Sequence, residues 1–365
     1  MKVLALTKYS EIGASSRQRF LVFRDHLREH GIELSVSPLL DTAYIEARYA
    51  GARTDWSAIA RAYLARLMRL RNAKSFDGVW LQYEFFPYLP GIMEAFASGR
   101  STRLIVDYDD ALFHQYDRHR NPIVRSGLGN KLKPLLRRAD LAICGNAYLE
   151  RYAAALCART AVVPTVVDTA IYQKAQSPTD NALPVIGWIG SPTTWDYVKP
   201  IVPALSRLAG ETVREIRIVG APDQDRVPSG FEFLAWSEAS EVALIQGMDI
   251  GIMPLPDEPW ARGKCGYKLI QYMACGLPVV ASPVGVNTEI VAHGVNGFLA
   301  TTEAEWVSAL TTLSQSPDLR ARMGAAGRAK VEKHYALAAQ GPRLAALIRE
   351  TLSGDRRARS EAGVS

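Results

Sequence analysis

Residues 248–299 read MDIGIMPLPDEPWARGKCGYKLIQYMACGLPVVASPVGVNTEIVAHGVNGFL. Ile250–Met253 is a short, wholly apolar run, the pattern of a strand buried on both faces. Pro254 follows it, then a loop containing Gly263 and Gly266. Glycine lets backbone come close to a ligand there, and the helix opened by this loop, Tyr267–Ala274, points its N-terminus back at it. Free N–H groups and the helix dipole at such an end favour a phosphate or diphosphate. Arg262, Lys264 and Lys268 lie in and beside the same loop. A single basic residue is most often a solvated surface cation, but a cluster at a glycine-flanked helix start favours the anion-binding reading. Gly276-Leu277-Pro278 then leads into a second apolar strand, Val279–Ala281.

The same alternation extends outward. Residues 2–7 (KVLALT) form a strand, the loop through Gly13 follows, and Phe20, Phe23 and Leu27 recur at helical spacing up to Gly31. Further strands are expected at Ile32–Val36, Gly78–Leu81, Leu104–Val106, Leu141–Cys144 and Thr160–Val163. A second set begins after a polar, proline-bounded linker near residue 180, with Val185–Ile189 and Glu215–Val219. Strands separated by helices imply parallel sheets of the doubly wound α/β class. The expected division is a domain over 1–178, a second over 179–353, and a disordered tail at 354–365.

Composition fits this class. The chain has 365 residues, 48% hydrophobic and 22% charged, which is globular and long enough for two cores. No apolar run approaches the ~20 residues of a membrane span, and the N-terminus lacks a signal-peptide pattern, so a cytoplasmic protein is expected. Cys144, Cys157, Cys265 and Cys275 lack metal-site spacing and read as reduced, partly buried thiols. The formal net charge of +6 suits an anionic partner: nucleotide, lipid surface or nucleic acid. No nucleic-acid motif or aromatic platform accompanies the charge, so nucleic acid is not expected.

The 248–299 stretch resembles the donor-binding core of glycosyltransferase family 4 (group 1), retaining enzymes of the GT-B fold. The likeness rests on Asp249, Pro254, the Gly263–Gly266 loop, Met273-Ala274-Cys275-Gly276-Leu277-Pro278-Val279-Val280-Ala281-Ser282, Glu289, and Gly294-Val295-Asn296-Gly297-Phe298-Leu299. Val163–Asp168 resembles the family's interdomain segment, and Phe233-Leu234-Ala235-Trp236 its nucleobase-side loop. The resemblance implies two Rossmann-like domains facing across a cleft, with a nucleotide-sugar donor on the C-terminal one and no metal or other cofactor. Gly13, Ser191, Trp236, Gly263, Gly266, Tyr267, Gln271 and Glu289 are the implied donor-side residues. The family's Arg and Lys after the first strand of the C-terminal half are missing from Gly190–Lys199, and Lys264 and Lys268 are expected to take over the departing diphosphate.

The chain also departs from the family. A pair of family glutamates, one before the loop and one in the following helix, falls here on Gly263 and Gln271. Gln271 still offers hydrogen bonds to ribose; Gly263 offers no carboxylate, and Asp257 and Glu258 stand nearby in sequence.

Asp107-Tyr108-Asp109-Asp110 follows a strand, where α/β sheets bind ligands. Asp109 takes the place of a family histidine, and Asp109 and Asp110 are read as facing sugar or acceptor. A helix-cap role and a Mg²⁺ or Mn²⁺ site are the alternatives. Glu84 and Arg17 are acceptor-side candidates; for Glu84 a surface-loop role is equally open. Arg19 is read with Arg17, and His114 is a weaker candidate beside Asp110. The stretch Asp55–Lys74 combines Ile59, Tyr63, Leu67 and Leu70 at helical spacing with Arg61, Arg66, Arg69, Arg71 and Lys74, and Arg118–Arg138 is a second basic run. Either is a membrane-surface helix or a core-facing helix with a solvated basic face.

The expectation is a hexosyl transfer from a UDP- or GDP-sugar to a lipid-linked or polysaccharide acceptor in bacterial surface-glycan synthesis, with peripheral attachment at the inner face of the cytoplasmic membrane. The alternatives are a GT-B epimerase or phosphorylase, or a binding subunit without chemistry.

Overall fold

The computed structural model describes residues 1–49, 51, 53–97, 99, 102–174, 183–222 and 229–354. Its strands are β1 Lys2–Tyr9, β2 Glu33–Leu40, β3 Gly78–Gln82, β4 Arg103–Tyr108, β5 Leu141–Cys144 and β6 Thr160–Val162, then β7 Val185–Ile189, β8 Glu215–Val219, β9 Phe231–Leu234, β10 Ile250–Met253, β11 Val279–Ala281 and β12 Gly297–Leu299. They form two six-stranded sheets, ordered β2-β1-β3-β4-β5-β6 and β12-β11-β10-β7-β8-β9. Every pairing is parallel. The central strands are buried end to end because helices cover both faces, which explains their continuous apolar runs.

Both sheets reverse strand order beside their first strand, β1|β3 in one and β7|β10 in the other. In open α/β sheets that reversal leaves a crevice at the carboxyl ends of the two strands. The sequence pattern missed β9 and β12: Phe233 and Leu234, expected in a loop, lie in β9, and the Gly297–Leu299 motif is β12.

The chain forms two compact units, one of 1–165 with 340–365 and one of 166–339. The expected boundary at 178/179 and the expected tail beyond Gly354 fall outside the described residues. The helix Leu337–Ser353 differs from the linear division, because most of its length belongs with the first unit. Leu352 Cδ2 packs where a side chain on Gly78 would stand, 2.3 Å from that Cβ position, so the helix lies close over β3 there.

In the second unit, helix Tyr267–Ala274 lies unusually close to its sheet. A Cβ on Gly251 would sit 2.4 Å from the Tyr272 ring. The Ile189 N–H donates to the Tyr272 hydroxyl at 2.9 Å. Close packing against β10 and a hydrogen bond to the end of β7 thus pin this helix beside the reversal point.

Candidate active site

Gly266 opens helix Tyr267–Ala274 in the left-handed region, at φ 66°. An alanine there would meet the same backbone penalty as any L-residue, and its Cβ would lie 2.3 Å from Ile290 Cδ1. Lys268 stands in the first turn with its ammonium 5.6 Å from the centre of the Trp188 ring, a cation–π placement that draws the charge toward the end of β7. Lys264 is half-buried in the loop before the helix. Arg262, expected to act with the two lysines, instead makes a two-point pair with Asp257, at 2.6 and 3.0 Å. That contact engages Arg262 at the surface beside Lys264 and Lys268. Gly263 caps the short helix Pro259–Arg262.

On the other side of the reversal, Ser191 follows β7. Its backbone N–H donates to Thr194 Oγ1 at 3.0 Å, fixing a turn that leads into Pro192–Tyr197. Glu289 is exposed on the short helix Asn287–Ile290 beside the Gly266 turn. Asn287, on the same helix, is fully buried; its amide donates to the Ser282 carbonyl at 3.1 Å, while its Oδ1 has no hydrogen-bond partner.

Gln271 is not open to a ribose in this structure. Its amide donates to Glu241 Oε1 at 2.8 Å and to the Tyr172 hydroxyl at 3.1 Å. Glu241 also accepts from the Trp236 indole at 2.7 Å and from the Tyr172 hydroxyl. Burial, then the Glu241 charge, push the Tyr172 phenol well above its ordinary range. Tyr267 touches the same cluster through the Tyr172 hydroxyl at 3.4 Å. Glu241 therefore joins three expected donor-side residues, Trp236, Tyr267 and Gln271. Glu241 left no signal in the sequence because two of its partners, Gln271 and Tyr172, lie 30 and 69 residues away along the chain.

In the first unit, Asp107 is fully buried and receives Arg19 at 2.9 and 3.1 Å and the Trp80 indole at 3.3 Å. Burial pushes its carboxyl up to about 6 against the pull of Arg19. Arg19 also donates to the Val163 carbonyl at 2.7 Å and is 1% exposed, so it holds the sheet rather than a ligand. Asp109 is bound by the Tyr83 hydroxyl. Tyr83 has a φ of 61°, a costly conformation for an aromatic residue, at the end of β3 beside the reversal point. Burial, then Asp109 and Asp110, raise its phenol strongly. Asp110 is half-buried, and Gly13 sits in the loop after β1. Arg17 donates to the Glu11 carbonyl at 3.3 Å. His114 bridges Asp117 and Tyr148.

Glu84, for which a surface-loop role is the alternative, is not a surface residue. It is 3% exposed, accepts from the Tyr116 hydroxyl at 2.8 Å and pairs with Lys131 at 3.1 Å. Lys131 in turn pairs with buried Glu94 at 2.6 Å. Among the described residues, no group of three or more His, Cys, Asp or Glu side chains is placed to hold a metal ion. None of the described helices is long and apolar enough to cross a membrane.

Residues 183–316 match the family model described as glycosyl transferases, group 1. The chain is 25% identical over 214 residues to the alpha-maltose-1-phosphate synthase of Mycolicibacterium smegmatis, covering 49% of this chain and 54% of that protein, about half its length. The fold is similar to sucrose-phosphate synthase from Thermosynechococcus elongatus, with a TM-score of 0.73 at 13% identity over 97% of this chain and 100% of that one. It is also similar to Anabaena HepE in complex with UDP-glucose, with a TM-score of 0.71 at 17% identity over 96% of this chain and 100% of that one. At such identities the likeness is one of fold, and the two six-stranded parallel sheets are those of GT-B proteins. Residues 183–316, the part of the chain that matches the group 1 glycosyl transferase model, thus carry the Gly266 helix start and its two lysines.

Proposed function

We propose that the chain is a retaining glycosyltransferase that takes a hexosyl group from a UDP- or GDP-sugar and passes it to a lipid-linked or polysaccharide acceptor at a membrane surface. The observation that carries this reading is the pairing of the Gly266 helix start with Lys264 and Lys268 at the reversal point of the second sheet. Backbone N–H groups there and the two ammonium groups suit a diphosphate, and the bound UDP-glucose of HepE shows that a protein of this fold takes such a donor. The reading invokes no cofactor or metal besides the donor.

In transfer, the bond between the sugar's anomeric carbon and the diphosphate breaks, and its electron pair goes to the phosphate oxygen. Lys264, Lys268 and the helix start receive that growing charge. The acceptor hydroxyl attacks from the face the phosphate leaves, and its proton passes to the departing oxygen. This front-face path needs no covalent enzyme nucleophile and keeps the anomeric configuration. The Tyr83–Asp109 contact at the first unit's reversal point is the counterpart on the acceptor side.

Incubation of UDP- and GDP-sugars with the protein, with and without a cell-envelope lipid extract, tests the reading. Transfer that requires the extract supports it. Donor isomerised without any acceptor identifies an epimerase, and turnover that requires inorganic phosphate identifies a phosphorylase. Nucleotide binding with every donor and acceptor left unchanged identifies a binding subunit, the outcome that Gly263 and the engaged Gln271 make concrete.

A further inference from the structure

The helix Trp56–Arg71 does not present the polar outer face that a surface helix ordinarily carries. Asp55 caps it, accepting from the Ser57 and Ala58 N–H groups at 2.8 and 3.1 Å. Its inner side is set by Arg66, which is 3% exposed and donates to the Thr7 and Ser37 carbonyls at 2.7 and 3.1 Å. Burial pulls this guanidinium down to about 10. Arg66 is therefore a core residue and contributes nothing to a basic surface. With Arg66 turned inward, Trp56, Leu64, Leu67 and Met68 come out, at 76, 53, 41 and 55% exposure. Leu67, read at one helical spacing with Ile59, Tyr63 and Leu70, belongs to this outer set.

Helix Gly91–Ala97 lies alongside. The Tyr63 hydroxyl donates to the Pro87 carbonyl at 2.6 Å just before it, and Leu70 and Lys74 share a cavity lining with Ala97. It too turns large apolar side chains outward, with Ile92 at 74% and Phe96 at 85% exposure. A lone exposed apolar residue is ordinary, but six on two adjacent helices are a patch that calls for a partner.

The charges on this face choose the partner. Arg71 is exposed on the same helix, which contains no acidic residue, and Lys74 is exposed just beyond it, while Arg61 is exposed with the capping Asp55 3.9 Å away. Two copies paired through this face would bring like charges together, since a twofold interface meets itself. An anionic bilayer accepts both components: apolar side chains and tryptophan enter the headgroup boundary while arginines meet lipid phosphates. We propose that the outer face formed by Trp56–Arg71 and Gly91–Ala97 docks the first unit on an anionic lipid bilayer. This deepens the membrane-acceptor reading above and rests on it for its purpose, but the binding itself is measurable without turnover.

The test is sedimentation of the full chain with vesicles of phosphatidylcholine alone or mixed with phosphatidylglycerol, at low and high salt. The wild type is expected to bind the anionic vesicles and to weaken as salt rises. Leu64→Ser with Phe96→Ser is expected to weaken that binding roughly tenfold or more, because interfacial binding scales with buried apolar area. Arg61→Gln with Arg71→Gln is expected to remove much of the salt-sensitive part. Unchanged thermal midpoints of both variants, with and without UDP or GDP, show that fold and nucleotide binding are intact. Equal binding to neutral and anionic vesicles, or apolar variants that bind like the wild type, overturns the proposal. So does a concentration-dependent dimer that the Leu64 and Phe96 changes abolish. Failure here with nucleotide stabilisation preserved leaves the donor reading standing; loss of nucleotide stabilisation with vesicle binding preserved does the reverse.

Discussion

Replacing Lys268 with Ala is expected to lower sugar transfer by about one to two orders of magnitude, the scale of losing a group aimed at developing negative charge. The lysine stands in the first turn of Tyr267–Ala274, where its ammonium adds to the helix dipole. Its contact with the Trp188 ring places the charge before any donor arrives, so little reorganisation accompanies the reaction. The loss should fall mainly on kcat, because the diphosphate gains charge as the sugar leaves; a change confined to KM would mean that Lys268 only binds the ground state. Lys264→Ala should act in the same direction. Steady-state rates for both variants with the active donor check this, and activity within twofold of the wild type would take the lysines out of the departure step.

Asp107→Ala is expected to cost about 3–5 kcal/mol, the range for breaking a buried ion pair and leaving its partner uncompensated. Both Asp107 and Arg19 are essentially without solvent contact, so neither charge can turn to water. The truncation strands the guanidinium and also removes the acceptor of the Trp80 indole. It uncouples the helix Ala14–Arg19 from the end of β4 beside the Tyr83–Asp109 contact. Denaturant unfolding measures the loss directly. In a unit of this size the transition should move down by on the order of 10 °C. A loss under about 1 kcal/mol would mean that water or a rearranged side chain answers Arg19 when Asp107 is gone.

The parallel sheets were legible because strands buried on both faces leave unbroken apolar runs. Val185–Ile189, Ile250–Met253 and Val279–Ala281 are such runs and stand in the structure with the bounds expected from the pattern, as does Glu215–Val219, which Glu215 and Arg217 leave only partly buried. The short edge strands were less legible: β12 opens on glycine, and β9 is only partly buried along its length, so neither leaves that signature. The Gly266 helix start was readable because its signal is local.

The buried charges were not readable, because each is decided by a partner distant in sequence. Arg19 meets Asp107, Glu84 meets Lys131, and Glu241 meets Gln271 and Tyr172 only once the sheets have formed. Arg66 shows the same limit on a helix. Its spacing puts it on the inner side, its charge argues for the outer, and the carbonyls of Thr7 and Ser37 decide the matter. A helix that returns from the end of the chain to the first unit, as Leu337–Ser353 does, leaves no mark in a linear reading of domains.

Residues 183–316 are proposed to hold a nucleoside diphosphate at the Gly266 helix start. Thermal unfolding of the whole chain with UDP or GDP tests it most directly, because a ligand that binds only the folded state stabilises it, by about 2.7 kcal/mol at a hundredfold its Kd. One of the two nucleotides is expected to raise the transition in the wild type, and the Lys264→Ala, Lys268→Ala double variant should lose most of that rise while unfolding normally without ligand. A transition unmoved by millimolar UDP and GDP alike, or a rise of equal size in the double variant, would mean that no nucleoside diphosphate is held by Lys264, Lys268 and the helix start.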